Sequence, residues 1–154
     1  MELHAGITGF GRPGAELAPD SNLYWFQSHC FAAARMLGGR VLQPAHRPDV
    51  VANFVSAVLE LPDTTVAILL NLHFPVLGFA RPWLESIDEL KFVDCQPLAD
   101  AFASIGAPYE VVSRSELEKP IRQKDLGPLA AIEMDQIRYW KPARVGDVVF
   151  NCWD

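Results

Sequence analysis

The sequence lacks the short motifs that identify a known chemistry. Its three cysteines, Cys30, Cys95 and Cys152, form no CxxC pair, and an odd number cannot all pair within one chain. The N-terminus shows no secretory leader, so we expect reduced thiols and a cytoplasmic protein. The four histidines lack a metal-ligand spacing such as HxxxH, so we predict no metal site and no cofactor.

The sequence also lacks a surplus of basic residues. Asp and Glu together number 19 against 13 Lys and Arg, which gives a formal net charge of −6. Nucleic-acid binding needs a basic face, so this balance argues against it and suits a basic protein partner or a small ligand. The longest apolar run, around VAILLNLHFPVLGFA, is interrupted by Asn71, His73 and Pro75, which argues against a membrane span.

The chain does have the length and composition of an ordinary folded domain. It contains 154 residues, half of them hydrophobic, which is enough to bury a core. We therefore predict one globular domain over residues 1–154. The glycines and prolines of residues 1–20 predict an irregular segment on the surface of that domain.

Periodicity predicts three helices and three strands in the first two thirds of the chain. The helices begin near Ser21 and Asp49 and in QPLADAFASIG, where Pro97 suits the first turn and Gly106 the end. The strands are TTVAILLNL, ELKFVD and PYEVVS. The last two flank the third helix, which predicts a βαβ unit with parallel strands. Ser113 has the spacing of a helix cap.

The closing segment predicts an antiparallel hairpin, with AAIEMDQIRYW and VVFNCW as its strands. A helix is the alternative for 130–139, because Ala, Glu and Met favour helices. The fold class is therefore α/β or α+β, with a mixed sheet of about five strands, helices packed on it and a C-terminal hairpin. An unpaired final strand would favour a homodimer through edge pairing.

Polar residues follow the three central predicted strands. Asn71 and His73 end the first, Asp94 and Cys95 end the second, and Ser113 follows the third. Ligands bind beyond the carboxyl ends of parallel strands, so these groups would meet at one rim. Cys95 would be a nucleophile near a helix N-terminus, His73 its base, and Asn71 or Asp94 would orient the imidazole. A buried Cys95, a helix-capping Asp94 and a core His73 are the structural alternatives.

Aromatic residues predict a second kind of site. Arg81 lies near Trp83, and Tyr139, Trp140 and Trp153 crowd the C-terminal segment, where they belong to a hairpin core or to a partner surface.

Three functions are consistent with these features. The leading one is a small acidic binding domain with a protein partner, of inhibitor, neutraliser or accessory type. The second is a thiol-dependent hydrolase or transferase that uses Cys95 and His73. The third is a pocket protein for an apolar small molecule, lined by Phe74, Phe79, Trp83 and Trp140. The missing catalytic motif favours binding over catalysis without deciding the question.

Overall fold

The structure is a computed structural model that describes residues 1–10, 20–48, 51–83 and 89–153. The helices are α1 (Asp20–Met36), α2 (Gln96–Ser104), α3 (Arg114–Leu117), α4 (Ala131–Trp140) and α5 (Val145–Val149), with a 3₁₀ turn at Gln123–Leu126. The strands are β1 (Arg40–His46), β2 (Phe54–Glu60), β3 (Thr65–Asn71), β4 (Val76–Ala80), β5 (Phe92–Val93) and β6 (Glu110–Val111).

The strands form one mixed sheet in the order β1-β2-β3-β4-β5, as the predicted fold class requires. Neighbours in this order are antiparallel, and β6 lies parallel to β4 on the same edge as β5. The predicted parallel pairing of β5 with β6 is wrong, because both short strands pair with β4. Val93 lies opposite Phe79, whereas Glu110 lies opposite Val76.

Both faces of the sheet are covered, since alternate residues along β3 enter two separate cores. Ile68 and Leu70 belong to the core under α1 and α2. Leu69 belongs to the core under residues 1–10, α3 and α5. A strand buried on both faces is apolar at nearly every position, which explains the continuous apolar run of β3.

The same double burial explains why the helix predicted from about Asp49 to Leu61 is wrong. Its described part contains β2, in which residues 54–57 are all buried. A fully apolar strand also satisfies the i, i+3, i+4 spacing of a helix, so periodicity alone cannot separate the two. Pairing with β1 and β3 decides the outcome.

The prediction of a C-terminal hairpin is also wrong, and the alternative prediction of a helix over residues 130–139 is confirmed. Residues 131–140 form α4, which ends at Lys141 in the left-handed region (φ 50°). Residues 145–149 form one helical turn whose apolar side chains are buried. The ring of Phe150 packs directly on β4, where a Cβ on Gly78 would lie 2.7 Å from it. The described C-terminal segment therefore supplies no strand edge for the expected homodimer.

The N-terminal segment, predicted to lie on the surface, instead contributes three of its first ten residues to the core. Leu3 and Ile7 are fully buried and Thr8 is 1 % exposed. Residues 11–19 of the predicted surface segment lie outside the described residues. In the described ranges, every helix is too short or too polar to cross a bilayer.

Candidate functional site

A cleft of about 450 Å³ opens beside the end of β3, on the α1 side of the sheet. Three parts of the chain supply most of its walls: α1, the turn after β3, and the residues before β6. Its described lining residues are Leu23, Trp25, His29, Arg47, Val55, Leu70, Asn71, Leu72, His73, Phe74, Pro75, Pro108 and Tyr109. The volume lies in the range of small-molecule sites, and most of the lining is apolar.

Asn71 shapes the turn that carries His73 and Phe74 into the cleft. Its Oδ1 accepts hydrogen bonds from the backbone N–H groups of His73 (2.8 Å) and Phe74 (3.0 Å). Its Nδ2 donates to the carbonyls of Ile7 (3.0 Å) and Val149 (2.8 Å). These bonds occupy both ends of the amide, so Asn71 positions the backbone of His73 rather than its imidazole.

His29 and Tyr109 form a hydrogen-bonded pair in the same cleft. His29 Nδ1 lies 2.8 Å from Tyr109 Oη, and the two rings meet edge to face. Burial lowers the pKa of His29. Burial, with a smaller contribution from Cys30, raises the pKa of Tyr109 to about 12. Both shifts favour the neutral form of each side chain, so the pair carries no net charge near pH 7.

Trp25 stands one helical turn before His29 and extends this aromatic wall. Its ring stacks on His29 with the centroids 6.3 Å apart and 29° between the planes. Trp25 is 58 % exposed, which is unusual for so large an apolar side chain. An exposed aromatic ring beside a cleft is a surface on which a flat group can stack.

The described lining of the cleft is not acidic, although the protein is. None of its described lining residues is Asp or Glu. Arg47 contributes a cation, and His29, His73, Tyr109 and Asn71 are polar but neutral or basic.

The structure brings Asn71 and His73 together but places Asp94 and Cys95 elsewhere. Neither Asp94 nor Cys95 is among the described lining residues. Asp94 Oδ1 accepts from the backbone N–H of Arg114 (2.8 Å) and so supports the start of α3. Cys95 is the N-cap of α2 and packs against the core under α1. The strand ends do not meet because β3 and β5 lie on opposite sides of β4 and end beside different parts of it.

Of the other two thiols, Cys30 is buried and Cys152 is half-buried. Burial raises the pKa of Cys30 far above its ordinary value and that of Cys152 to about 11. Both thiols are therefore protonated at neutral pH and act as small apolar groups. Across the part of the chain that the structure describes, no cluster of three His, Cys, Asp or Glu side chains could hold a metal.

The predicted aromatic sites separate into different environments. Trp153 is buried, and half-buried Trp140 stacks on it with 3° between the rings. Tyr139 beside them is 75 % exposed. Arg81 is exposed and Trp83 half-buried. Within the described residues, a cation–π contact instead joins Arg144 to the ring of Phe92, at 4.9 Å.

The predicted apolar pocket does not assemble from its four residues. Phe74 lines the cleft, whereas Phe79 is buried in the core under α1. Trp83 and Trp140 pack on the other face of the sheet.

Sequence reasoning missed Trp25, His29, Arg47 and Tyr109 as members of one site. The spacing of Trp25 and His29, four residues apart on a predicted helix, was the available signal. Tyr109 and Arg47 join them only through the tertiary fold, which no local pattern encodes.

Comparison with known proteins gives no relative on which a role could be based. No protein-family model matches the chain, and no significant match is found among curated proteins or solved structures.

Proposed function

We propose that this protein binds a small organic molecule with a flat apolar group in the cleft between α1 and the turn after β3. The observation that carries the proposal is the cleft itself, which combines an apolar lining with a few polar side chains. This combination is typical of small-molecule sites, where apolar walls give affinity and polar groups fix orientation.

The neutral His29–Tyr109 pair supports binding of a flat group. It presents polar atoms and ring edges without a net charge, so an aromatic ring can lie against it without desolvating an ion. The adjoining Trp25 ring offers a stacking partner.

The test is a titration with neutral aromatic fragments, such as indole and N-phenyl-1-naphthylamine, followed by backbone amide NMR shifts. We expect saturable shifts that centre on His29, residues 72–74 and Tyr109. Leu72→Trp should fill the cleft and abolish them. Leu42→Trp, at a 45 % exposed position of β1 outside the lining, is the matched control and should leave them intact. Shifts centred on Tyr139 and Trp140, or equal in both variants, would contradict the proposal.

A protein partner is the second candidate, and the outer face of α1 favours it. Tyr24, Trp25 and Phe31 are 67 %, 58 % and 46 % exposed, and aromatic side chains are enriched at protein interfaces. The acidic net charge suits a basic partner. Tyr24→Ala and Phe31→Ala should weaken such a complex while leaving fragment binding in the cleft unchanged.

The three free cysteines support a reducing, cytoplasmic location for either function.

A further inference from the structure

The charge of the cleft differs from that of the whole protein. The chain carries six more acidic than basic residues, yet every described residue that lines the cleft is apolar, neutral polar or basic. A carboxylate facing the cleft would repel an anion and hold a cation. The described lining has no carboxylate, which favours an anion over a cation as the ligand.

Arg47 supplies hydrogen-bond donors and a positive charge for such an anion. Arg47 is exposed, and its guanidinium carries five N–H donors in a planar fork that matches the oxygens of a carboxylate or sulfonate. Among the described residues it makes no ion pair, unlike Arg40, Arg114 or Arg144. Asn71 also lines the cleft, but its amide oxygen is not available to Arg47. That oxygen already accepts hydrogen bonds from the backbone N–H groups of His73 and Phe74.

The walls beside Arg47 define the rest of the ligand. Leu72, Phe74 and Pro75 make one apolar side, and Trp25 stacked on His29 makes an aromatic one. A purely inorganic anion would leave these apolar surfaces in water, and a purely apolar molecule would gain nothing from the guanidinium, which would stay hydrated. We infer that the ligand is an aromatic organic anion, with its ring system against Trp25 and its carboxylate or comparable acidic group on Arg47. This inference rests on the proposed small-molecule function and names the class of molecule.

Two dyes with one skeleton test the inference. 1-Anilinonaphthalene-8-sulfonate and N-phenyl-1-naphthylamine differ in the sulfonate, and both gain fluorescence in apolar sites. We expect the sulfonate to bind about threefold to tenfold more tightly at low ionic strength, since the guanidinium is partly exposed. That advantage should shrink in about 0.5 M salt, where screening is strong.

Arg47→Gln should remove the advantage of the sulfonate and leave the affinity of the neutral dye unchanged. Arg35→Gln removes the same charge from an exposed position of α1 outside the cleft, and it should leave the advantage in place. Near-UV circular dichroism must stay native in every variant, because the sulfonate dye also binds partly unfolded chains.

The outcomes separate the two proposals. Equal affinities for both dyes, or a sulfonate advantage that survives Arg47→Gln, would overturn the anion inference and leave the small-molecule function standing. If neither dye binds the native protein, both proposals are contradicted. Sulfonate binding that appears only when the near-UV signal is lost counts against the inference as well.

Discussion

Two groups of polar side chains flank the end of β3, and they differ in how many of their hydrogen-bonding atoms are paired within the protein. Behind the strand lies a buried network of Thr8, Asn53, Asn71, Glu133 and Asn151, each at most 4 % exposed. In front of it lies the cleft, where His29 and Tyr109 pair with each other and Arg47 contributes to the lining.

Within the buried network, the polar atoms bond to one another or to the backbone. Asn53 Nδ2 donates to the Ile7 and Val149 carbonyls, and its Oδ1 accepts from the Asn151 backbone N–H (2.8 Å). Asn151 Nδ2 donates to the Thr8 carbonyl (3.1 Å). Burying a polar group without a hydrogen-bond partner lowers the free energy of unfolding. Because these groups are paired, the N- and C-terminal segments can pack together. We therefore expect substitutions in the network to affect stability most and substitutions in the cleft to affect binding most.

The largest effect should come from Glu133, which is completely buried. Its carboxylate accepts from the backbone N–H groups of Gly6, Thr8 and Ala130 and from Thr8 Oγ1 at 2.6 Å. Glu133→Ala leaves several buried donors unpaired, and we expect it to lower the free energy of unfolding by about 3–5 kcal/mol. Urea denaturation followed by circular dichroism measures the change.

Asp135→Ala is the matched control for Glu133→Ala. Asp135 lies two residues later on α4, is exposed and pairs with Arg138. Exposed ion pairs contribute little, so we expect a change below about 0.5 kcal/mol. Similar losses in the two variants would mean that the buried network is not the main source of stability.

The second effect concerns Asn71, which belongs to both regions. Asn71→Ala should destabilise the protein by about 1–3 kcal/mol, because the turn donors lose their acceptor while Asn53 still serves the Ile7 and Val149 carbonyls. The same change should loosen the turn at His73 and Phe74 and weaken dye binding in the cleft. Denaturation and dye titration of one variant measure both results.

Asn71→Asp sharpens this test. It keeps the oxygen that accepts from the turn but faces the two carbonyls with a carboxylate. We expect at least as large a loss of stability as in Asn71→Ala. If the aspartate variant is as stable as the native protein, the two Nδ2 bonds contribute nothing.

Much of the fold could be predicted because several elements carry their own local signals. Three predictions are confirmed: the apolar run of β3, α2 with Pro97 in its first turn and its end before Gly106, and the Ser113 cap. Ser113 Oγ accepts from the backbone N–H of Glu116 (3.3 Å). In each case the deciding contacts lie within a few residues of one another.

The rest depends on distant contacts. Residues 54–57 form a strand because β1 and β3 pair with it, and α4 begins where Glu133 accepts from the backbone of Gly6, 127 residues away. For the site, the sequence predicted the polar end of β3 at Asn71 and His73. It did not predict Trp25 or Tyr109 beside them. Those residues lie in α1 and just before β6, which only the tertiary fold brings to the end of β3.

The third effect is a pH dependence of stability that arises from Tyr109 in the cleft. Burial raises the pKa of Tyr109 to about 12, so its neutral form is favoured in the folded state. The stability that this provides is present below the ordinary phenol pKa of about 10 and is lost as pH rises towards about 12. Tyrosinate absorbance should show a late ionisation step that disappears in Tyr109→Phe. A titration that is the same in both proteins would contradict the buried pair with His29.

Among the cleft residues, the smallest effect on stability should come from Trp25, although it has the largest side chain. Trp25→Ala removes a ring that is 58 % exposed, so we expect a loss below about 1 kcal/mol. Phe26 is the neighbouring residue and is fully buried, and Phe26→Ala should cost about 3–5 kcal/mol. Dye affinity should show the reverse order, with a clear loss in Trp25→Ala and little change in Phe26→Ala under native conditions. If Trp25→Ala binds the dyes as well as the native protein, the ligand does not stack on α1 and the aromatic wall is only surface.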